Sequence, residues 1–217
     1  MTLGFSLRTL GHQHVPRHGP ALLIANHQSF IDPILVGLAV RRHAVFLARQ
    51  TLFHHDWLAR VMRSLHAVPV NQEGFAREGL KTILEQLKGG RVVGIFPEGE
   101  RTNTGKMGPL RPGIHLLIKK MDMPIVPIGI AGAYDAWPRW RAYPIPAPLF
   151  LPAGKGTIAV SVGPPVDSRQ FAGQPRDKVL ADLSVKLQEQ KDRAEHLRWK
   201  PSSGIRNPKA GASPDYC

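Results

Sequence analysis

The chain has 217 residues, 42% hydrophobic and 21% charged, which is enough apolar material for one globular core with irregular ends and predicts a single domain. Its 29 Lys and Arg against 16 Asp and Glu give a formal charge of +13, so the expected partner is anionic: nucleic acid, an acidic membrane leaflet or a phosphorylated substrate. Cys217 is the only cysteine, which excludes an internal disulfide; no apolar stretch reaches the ~20 residues of a membrane span and none resembles a secretory leader, so the protein is expected to stay on the cytoplasmic side.

Near the N-terminus Leu3, Phe5, Leu7 and Leu10 offer an interfacial contact, without the periodicity of an amphipathic helix. A buried strand follows at Ala21–Ala25, then a helix entered through Pro33 with Ile34, Leu35 and Leu38. Further Val- and Ile-rich strands are predicted at 44–48 and Ala67–Val70. Leu80, Ile83, Leu84 and Leu87 form a helical i, i+3, i+4, i+7 stripe that Gly89 and Gly90 close. A strand at 92–96 precedes a helix after Pro112, with Ile114, Leu117, Ile118 and Met121 inward, and a strand at 125–130 follows. Residues 134–152 mix Trp137, Trp140, Tyr143 and Phe150 with Arg139, Arg141 and five prolines, a composition suited to a lipid headgroup layer or to a stiff surface loop. A last strand at Thr157–Val162 leads to a charged helix at Arg176–Trp199 with Leu180, Leu183 and Leu187 inward. Strands alternating with helices predict an α/β fold, a single mixed sheet flanked by helices, over residues 1–200. Residues 201–217, rich in Pro, Ser, Gly and Ala, read as a disordered tail.

Two segments carry chemistry. The first, Asn26-His27-Gln28-Ser29-Phe30-Ile31-Asp32-Pro33, lies where a strand ends and a helix begins, the edge at which α/β folds expose reactive groups. His27 and Asp32 are five residues apart, which turns them away from each other on one helix but lets a strand-to-helix bend bring them together. A carboxylate there fixes the imidazole tautomer and stabilises its protonated form. The alternative is a loop histidine beside an Asp32 that merely caps the helix.

The second segment, Phe96-Pro97-Glu98-Gly99-Glu100-Arg101-Thr102, again ends an apolar strand and continues through Lys106 to Arg111-Pro112-Gly113. Gly99 lets backbone N–H groups approach an anion, and Arg101 offers a planar fork matched to phosphate oxygens. The alternative is a polar turn with a solvated Glu98–Arg101 pair.

Together the segments resemble the glycerophospholipid acyltransferase family, which carries His-x4-Asp in a first block and Glu-Gly-x-Arg in a later one; His27 and Asp32, then Glu98, Gly99 and Arg101, meet both patterns. Val126-Pro127-Ile128-Gly129-Ile130 looks like the family's apolar, proline-containing fourth block. The resemblance implies a glycerolipid acyltransferase-like fold and an O-acyltransferase. It would move a fatty acyl group from acyl-CoA or acyl carrier protein to a lysophospholipid hydroxyl, most simply that of 1-acylglycerol-3-phosphate. His27 would act as base, Asp32 would orient it, and Glu98, Gly99 and Arg101 would lie at the acceptor site with Arg101 on the phosphate. It implies no metal or other cofactor and a peripheral place on the membrane, with no nucleic-acid partner.

One position departs from the family. Where its second block commonly ends in a phosphate-binding arginine, this chain has Gln72, which hydrogen-bonds but brings no charge. Either Arg49, Lys106 or Arg111 supplies the charge, or the acceptor is another hydroxyl-bearing lipid.

Other features lead elsewhere. His12, His14 and His18, and His54, His55 and Asp56, lack a second half at zinc spacing. Ser29 has no Gly-x-Ser-x-Gly elbow and reads as a local hydrogen-bonding residue. A non-enzymatic basic module for anionic membrane or nucleic acid would explain the charge, but not the order of the two motifs.

Overall fold

The computed structural model describes residues 6–54, 56, 59–60, 63, 67–70, 75–141 and 157–200. Leu3, Phe5, His55, Gln72, the proline-rich stretch after Arg141 and the tail at 201–217 lie outside the described residues.

The strands are β1 (Ser6–Leu10), β2 (Ala21–Ala25), β3 (Ala44–Arg49), β4 (Ala67–Val70), β5 (Val92–Ile95), β6 (Pro124–Ala131), β7 (Thr157–Val162) and β8 (Val166–Asp167). The helices are α1 (Asp32–Val40), α2 (Phe75–Lys88), α3 (Gly113–Lys120), the single turn α4 (Ala133–Ala136) and α5 (Arg176–Trp199). One sheet runs in the order β1-β7-β6-β2-β5-β3-β4, with β8 also on β6. The pairings among β6, β2, β5, β3 and β4 are parallel, as the strand and helix alternation predicts; β7 and β8 run antiparallel to β6, so the single sheet is mixed.

β2 is buried along its whole length because both faces are covered. Leu23 and Ala25 point to one side, into a core completed by Leu35, Val36 and Ala39 of α1. Leu22 and Ile24 point to the other, against Leu87 of α2, Leu117 of α3 and Leu183 and Leu187 of α5. Each leucine, isoleucine or valine among them, fully removed from water, contributes roughly 1.5–3 kcal/mol.

Gly129 of the fourth block has a packing reason: a Cβ there would stand 2.0 Å from the backbone carbon of Gln190, so only glycine lets α5 lie this close to β6. Ser161 of β7 donates to Gln190 Oε1 at 2.9 Å, so the two buried polar side chains in this contact are paired with each other. At the far end of α5, buried Arg198 donates to the Thr157 carbonyl at 2.8 Å and pairs with Asp135 of α4 at 2.7 Å.

Ser6–Leu10 is an edge strand parallel to β7, Leu7 packs on the core and Leu10 is half exposed. Two of the nearby histidines meet distant parts of the chain: His14 Nδ1 donates to the Val162 carbonyl at 2.8 Å, and Arg41 lies 3.4 Å from His12 Nε2.

Candidate active site

The parallel register brings the two motifs together. β2 and β5 are neighbours, with Ala21 opposite Val92 and Ile24 opposite Ile95, so 26–32 and 96–102 leave the same edge side by side. β6 borders β2 on its other side and adds α4 at that edge. This is the carboxyl edge of the parallel strands, where ligands of open α/β sheets bind.

Between β2 and α1 the chain bends, and His27 Nδ1 comes to 2.8 Å from Asp32 Oδ2. The same oxygen accepts the backbone N–H groups of Gln28 at 2.5 Å and Ser29 at 2.7 Å. Asp32 is wholly buried, and its Oδ1 has no hydrogen-bond partner. The helix-cap reading of Asp32 is therefore corrected: Asp32 is the first residue of α1, the cap position is Ile31, and no side chain caps the helix. Its carboxylate turns back into the bend, where His27, Gln28 and Ser29 all donate to it.

Since the carboxylate accepts, Nδ1 of His27 carries the proton and Nε2 is left as the acceptor nitrogen. The His27 side chain is 19% exposed, so reactants can reach it. Its ring stacks on Phe96, centroids 4.1 Å apart and planes 16° from parallel. Phe96 in turn lies 6.1 Å from Phe46, and Gly94 makes the space, since a Cβ there would meet the Phe46 ring at 2.2 Å. Phe96 holds the imidazole plane and offers its π face to an imidazolium.

Glu98 ties the two motifs. Its Oε1 accepts the backbone N–H of His27 at 2.7 Å and its Oε2 that of Gly108 at 2.6 Å, while Thr102 N–H donates to the His27 carbonyl at 2.9 Å. Burial is the largest influence on the Glu98 carboxyl and holds it above the ordinary carboxylate range, against the downward pull of the Gly108 and His27 amides. With an amide on each oxygen, the role its geometry serves is bracing the loop.

Gly99 sits at φ +79° with the Arg111 side chain packed against it, and Arg111 reaches back to the Glu98 carbonyl at 3.3 Å and to Glu100 at 3.4 Å. The Glu98–Arg101 pair of the alternative turn reading is replaced by these contacts. Arg101 is half-buried beside the Thr102–His27 link, and Lys106 is exposed on the same loop. Arg49 ends β3 three residues beyond the Phe46–Gly94 pair, at the same edge, although its side chain is outside the described part.

Several participants escape a reading of the motifs alone. Asn26 is buried and exchanges two hydrogen bonds with Ile130, at 3.0 and 2.7 Å, clamping the end of β2 to β6. Ser29, expected to bond locally, donates instead across 108 positions to the Trp137 carbonyl at 2.8 Å. Gln28 accepts the Tyr134 amide at 3.3 Å, and Phe30 meets Trp137 edge-on at 5.9 Å. The signal for these is topological: each leaves β2 or β6 at the edge that carries His27.

A buried carboxylate orienting a reachable imidazole, on the carboxyl edge of a mixed α/β sheet, is an arrangement able to serve general base catalysis. The chain belongs to the acyltransferase family, whose model matches residues 6–131, the span from β1 to the end of β6. It is similar to the 1-acyl-sn-glycerol-3-phosphate acyltransferase of Bacillus subtilis strain 168, with 25% identity over 188 residues, 86% of this chain and 87% of that one. The chloroplastic 1-acyl-sn-glycerol-3-phosphate acyltransferase BAT2 of Brassica napus is 30% identical over 121 residues, 55% of this chain and 35% of its own length. The crystal structure of the 1-acyl-sn-glycerophosphate acyltransferase from Thermotoga maritima has the same fold, with a TM-score of 0.73 and 24% identity over 92% of this chain and 75% of that one.

Proposed function

We propose that the protein acylates the free hydroxyl of 1-acylglycerol-3-phosphate with a fatty acyl thioester, acyl-CoA or acyl carrier protein, without a metal or other cofactor. The observation that carries this reading is the 2.8 Å contact of His27 Nδ1 with the buried Asp32 carboxylate. Nε2 takes the hydroxyl proton as the oxygen attacks the thioester carbonyl. A C–O bond forms, the C–S bond breaks, and the imidazolium returns the proton to the departing sulfur, so no acyl-enzyme is needed. Asp32 stabilises the imidazolium while it exists; a positioned base of this kind contributes ~10²–10⁴-fold. Arg101 is assigned to the acceptor phosphate, with Lys106, Arg49 and Gln72 as further contacts and Arg111 holding the loop. The relatives' names and the order of the two motifs support this assignment.

Gln72, in place of a cation, supports a second reading in which the acceptor is another hydroxyl-bearing lipid. The net charge of +13 supports a peripheral place on the anionic cytoplasmic face of a membrane; no described helix is long and apolar enough to cross one. Mass spectrometry of the lipids formed from a labelled acyl thioester and a panel of lipid hydroxyls tests both acceptors. Acylation of lysophosphatidate is the expected result. Product only from an acceptor without phosphate would overturn the first reading in favour of the second.

A further inference from the structure

We propose that the turn at 137–141, with Trp140 at its tip, seats the protein on an anionic bilayer leaflet so that His27 faces the lipid. This rests on the acyltransferase reading and names the part of the chain that meets the membrane. Trp140 is 69% exposed, the most exposed large hydrophobic side chain among the described residues. It is presented by a closed turn: the Trp137 indole N–H donates to the Arg141 carbonyl at 2.9 Å, and the Arg141 amide to the Pro138 carbonyl at 3.1 Å. Tyr134 buttresses Trp140 edge-on at 5.3 Å and donates its hydroxyl to the Asn103 carbonyl at 2.7 Å. An indole held outward at a sheet edge, next to bonded backbone, is the amphipathic group that favours the headgroup layer.

The surrounding charge fits that occupant. Arg139 and Arg111 share the single carboxylate of Glu100, at 3.7 and 3.4 Å, and exposed Arg141 and Lys106 flank the same surface. The turn is also bonded to the first motif, through Ser29 to the Trp137 carbonyl and through Phe30 to the Trp137 ring. Seating Trp140 therefore sets the height of His27 above the leaflet, where an acceptor hydroxyl lies at the headgroup boundary.

The test uses the full chain with phosphatidylcholine vesicles carrying phosphatidylglycerol and brominated acyl chains. Tryptophan fluorescence should be quenched on binding, and Trp140→Phe should remove most of the quenching while vesicles still bind. Trp140→Ser should weaken binding about tenfold, and Arg139→Gln with Arg141→Gln about fivefold for each charge. Turnover of Trp140→Ser should fall on vesicle-embedded lysophosphatidate and stay normal on a short-chain, monomeric one. Wild-type vesicle affinity in Trp140→Ser would overturn the proposal. So would equal loss on both acceptors, or unchanged vesicle binding with weakened binding to acyl carrier protein, which would make the turn a protein dock. If the wild-type protein acylates neither form of lysophosphatidate, the proposed function fails on its own, while the quenching still decides the surface.

Discussion

Asp32→Asn replaces one buried oxygen with an amide and removes one negative charge, and the structure separates the two consequences. The asparagine carbonyl can occupy the place of Oδ2 and still accept from Gln28, Ser29 and His27, while its NH2 enters the place of Oδ1, where no partner now stands. Each bond drops from the charge-assisted range of ~1.5–3 kcal/mol to ~1 kcal/mol. Against that loss, the burial penalty of a carboxylate, several kcal/mol, disappears. These opposing terms are of similar size, so stability should change by only about 1–2 kcal/mol, or roughly 2–8 °C in Tm for a chain of this length. Catalysis has no such offset. An imidazolium and a carboxylate about 4 Å apart between charge centres attract by ~4 kcal/mol at an effective dielectric of ~20, and that term exists only while His27 is protonated. Its loss corresponds to about 10³-fold in kcat. Thiol release from acyl-CoA gives kcat and thermal unfolding gives Tm. A variant that keeps kcat within about threefold while losing more than about 10 °C would show Asp32 to be a structural residue and refute the reasoning.

Glu98→Gln tests the buried brace. The folded pKa of Glu98 is raised by burial, so its carboxyl favours folding most below about pH 4.5, its ordinary value, and this contribution is lost as pH rises through the higher folded value. The stability difference between wild type and Glu98→Gln should therefore shrink from pH 4.5 toward neutrality in urea titrations; a difference that grows with pH would mean that the amide bonds outweigh burial. Gly129→Ala should destabilise by at least ~1–3 kcal/mol, since its Cβ would meet Gln190 backbone at 2.0 Å; a wild-type Tm would show that α5 yields freely. Arg101→Lys should raise KM for lysophosphatidate several-fold with little change in kcat, because charge is kept and the planar fork is lost. An unchanged KM would take Arg101 off the phosphate.

Much of the sheet is legible because its inner strands are buried on both faces and so read as unbroken apolar runs; Ala21–Ala25 and Thr157–Val162 coincide with β2 and β7, and the short edge strand β4, half-buried, is found at Ala67–Val70 by its Val-Pro-Val composition. The edge strand β1 is not legible. Ser-Leu-Arg-Thr-Leu is short and half exposed, and its partner β7 lies about 150 positions away, so no local pattern announces it. In the site, the meeting of His27 with Asp32 follows from the strand-to-helix bend. The brace by Glu98, the clamp by Asn26 and the reach of Ser29 to Trp137 depend on which strands are neighbours, and periodicity does not carry that. Gly94 is similar: its value lies in the ring of Phe46, a residue on a different strand.

The Glu98 brace also divides the loop after β5 by mechanical duty. One carboxylate fastens the His27 backbone and, ten positions on, Gly108, so both ends of 98–108 are pinned to the reacting centre. The side chains of Asn103, Thr104 and Lys106 are exposed between the pins, while Tyr134 holds the Asn103 carbonyl. With the acceptor site as proposed, substitutions at those exposed positions should alter which headgroup is accepted while His27 stays anchored. A descendant of this chain could change its lipid without reinventing its chemistry.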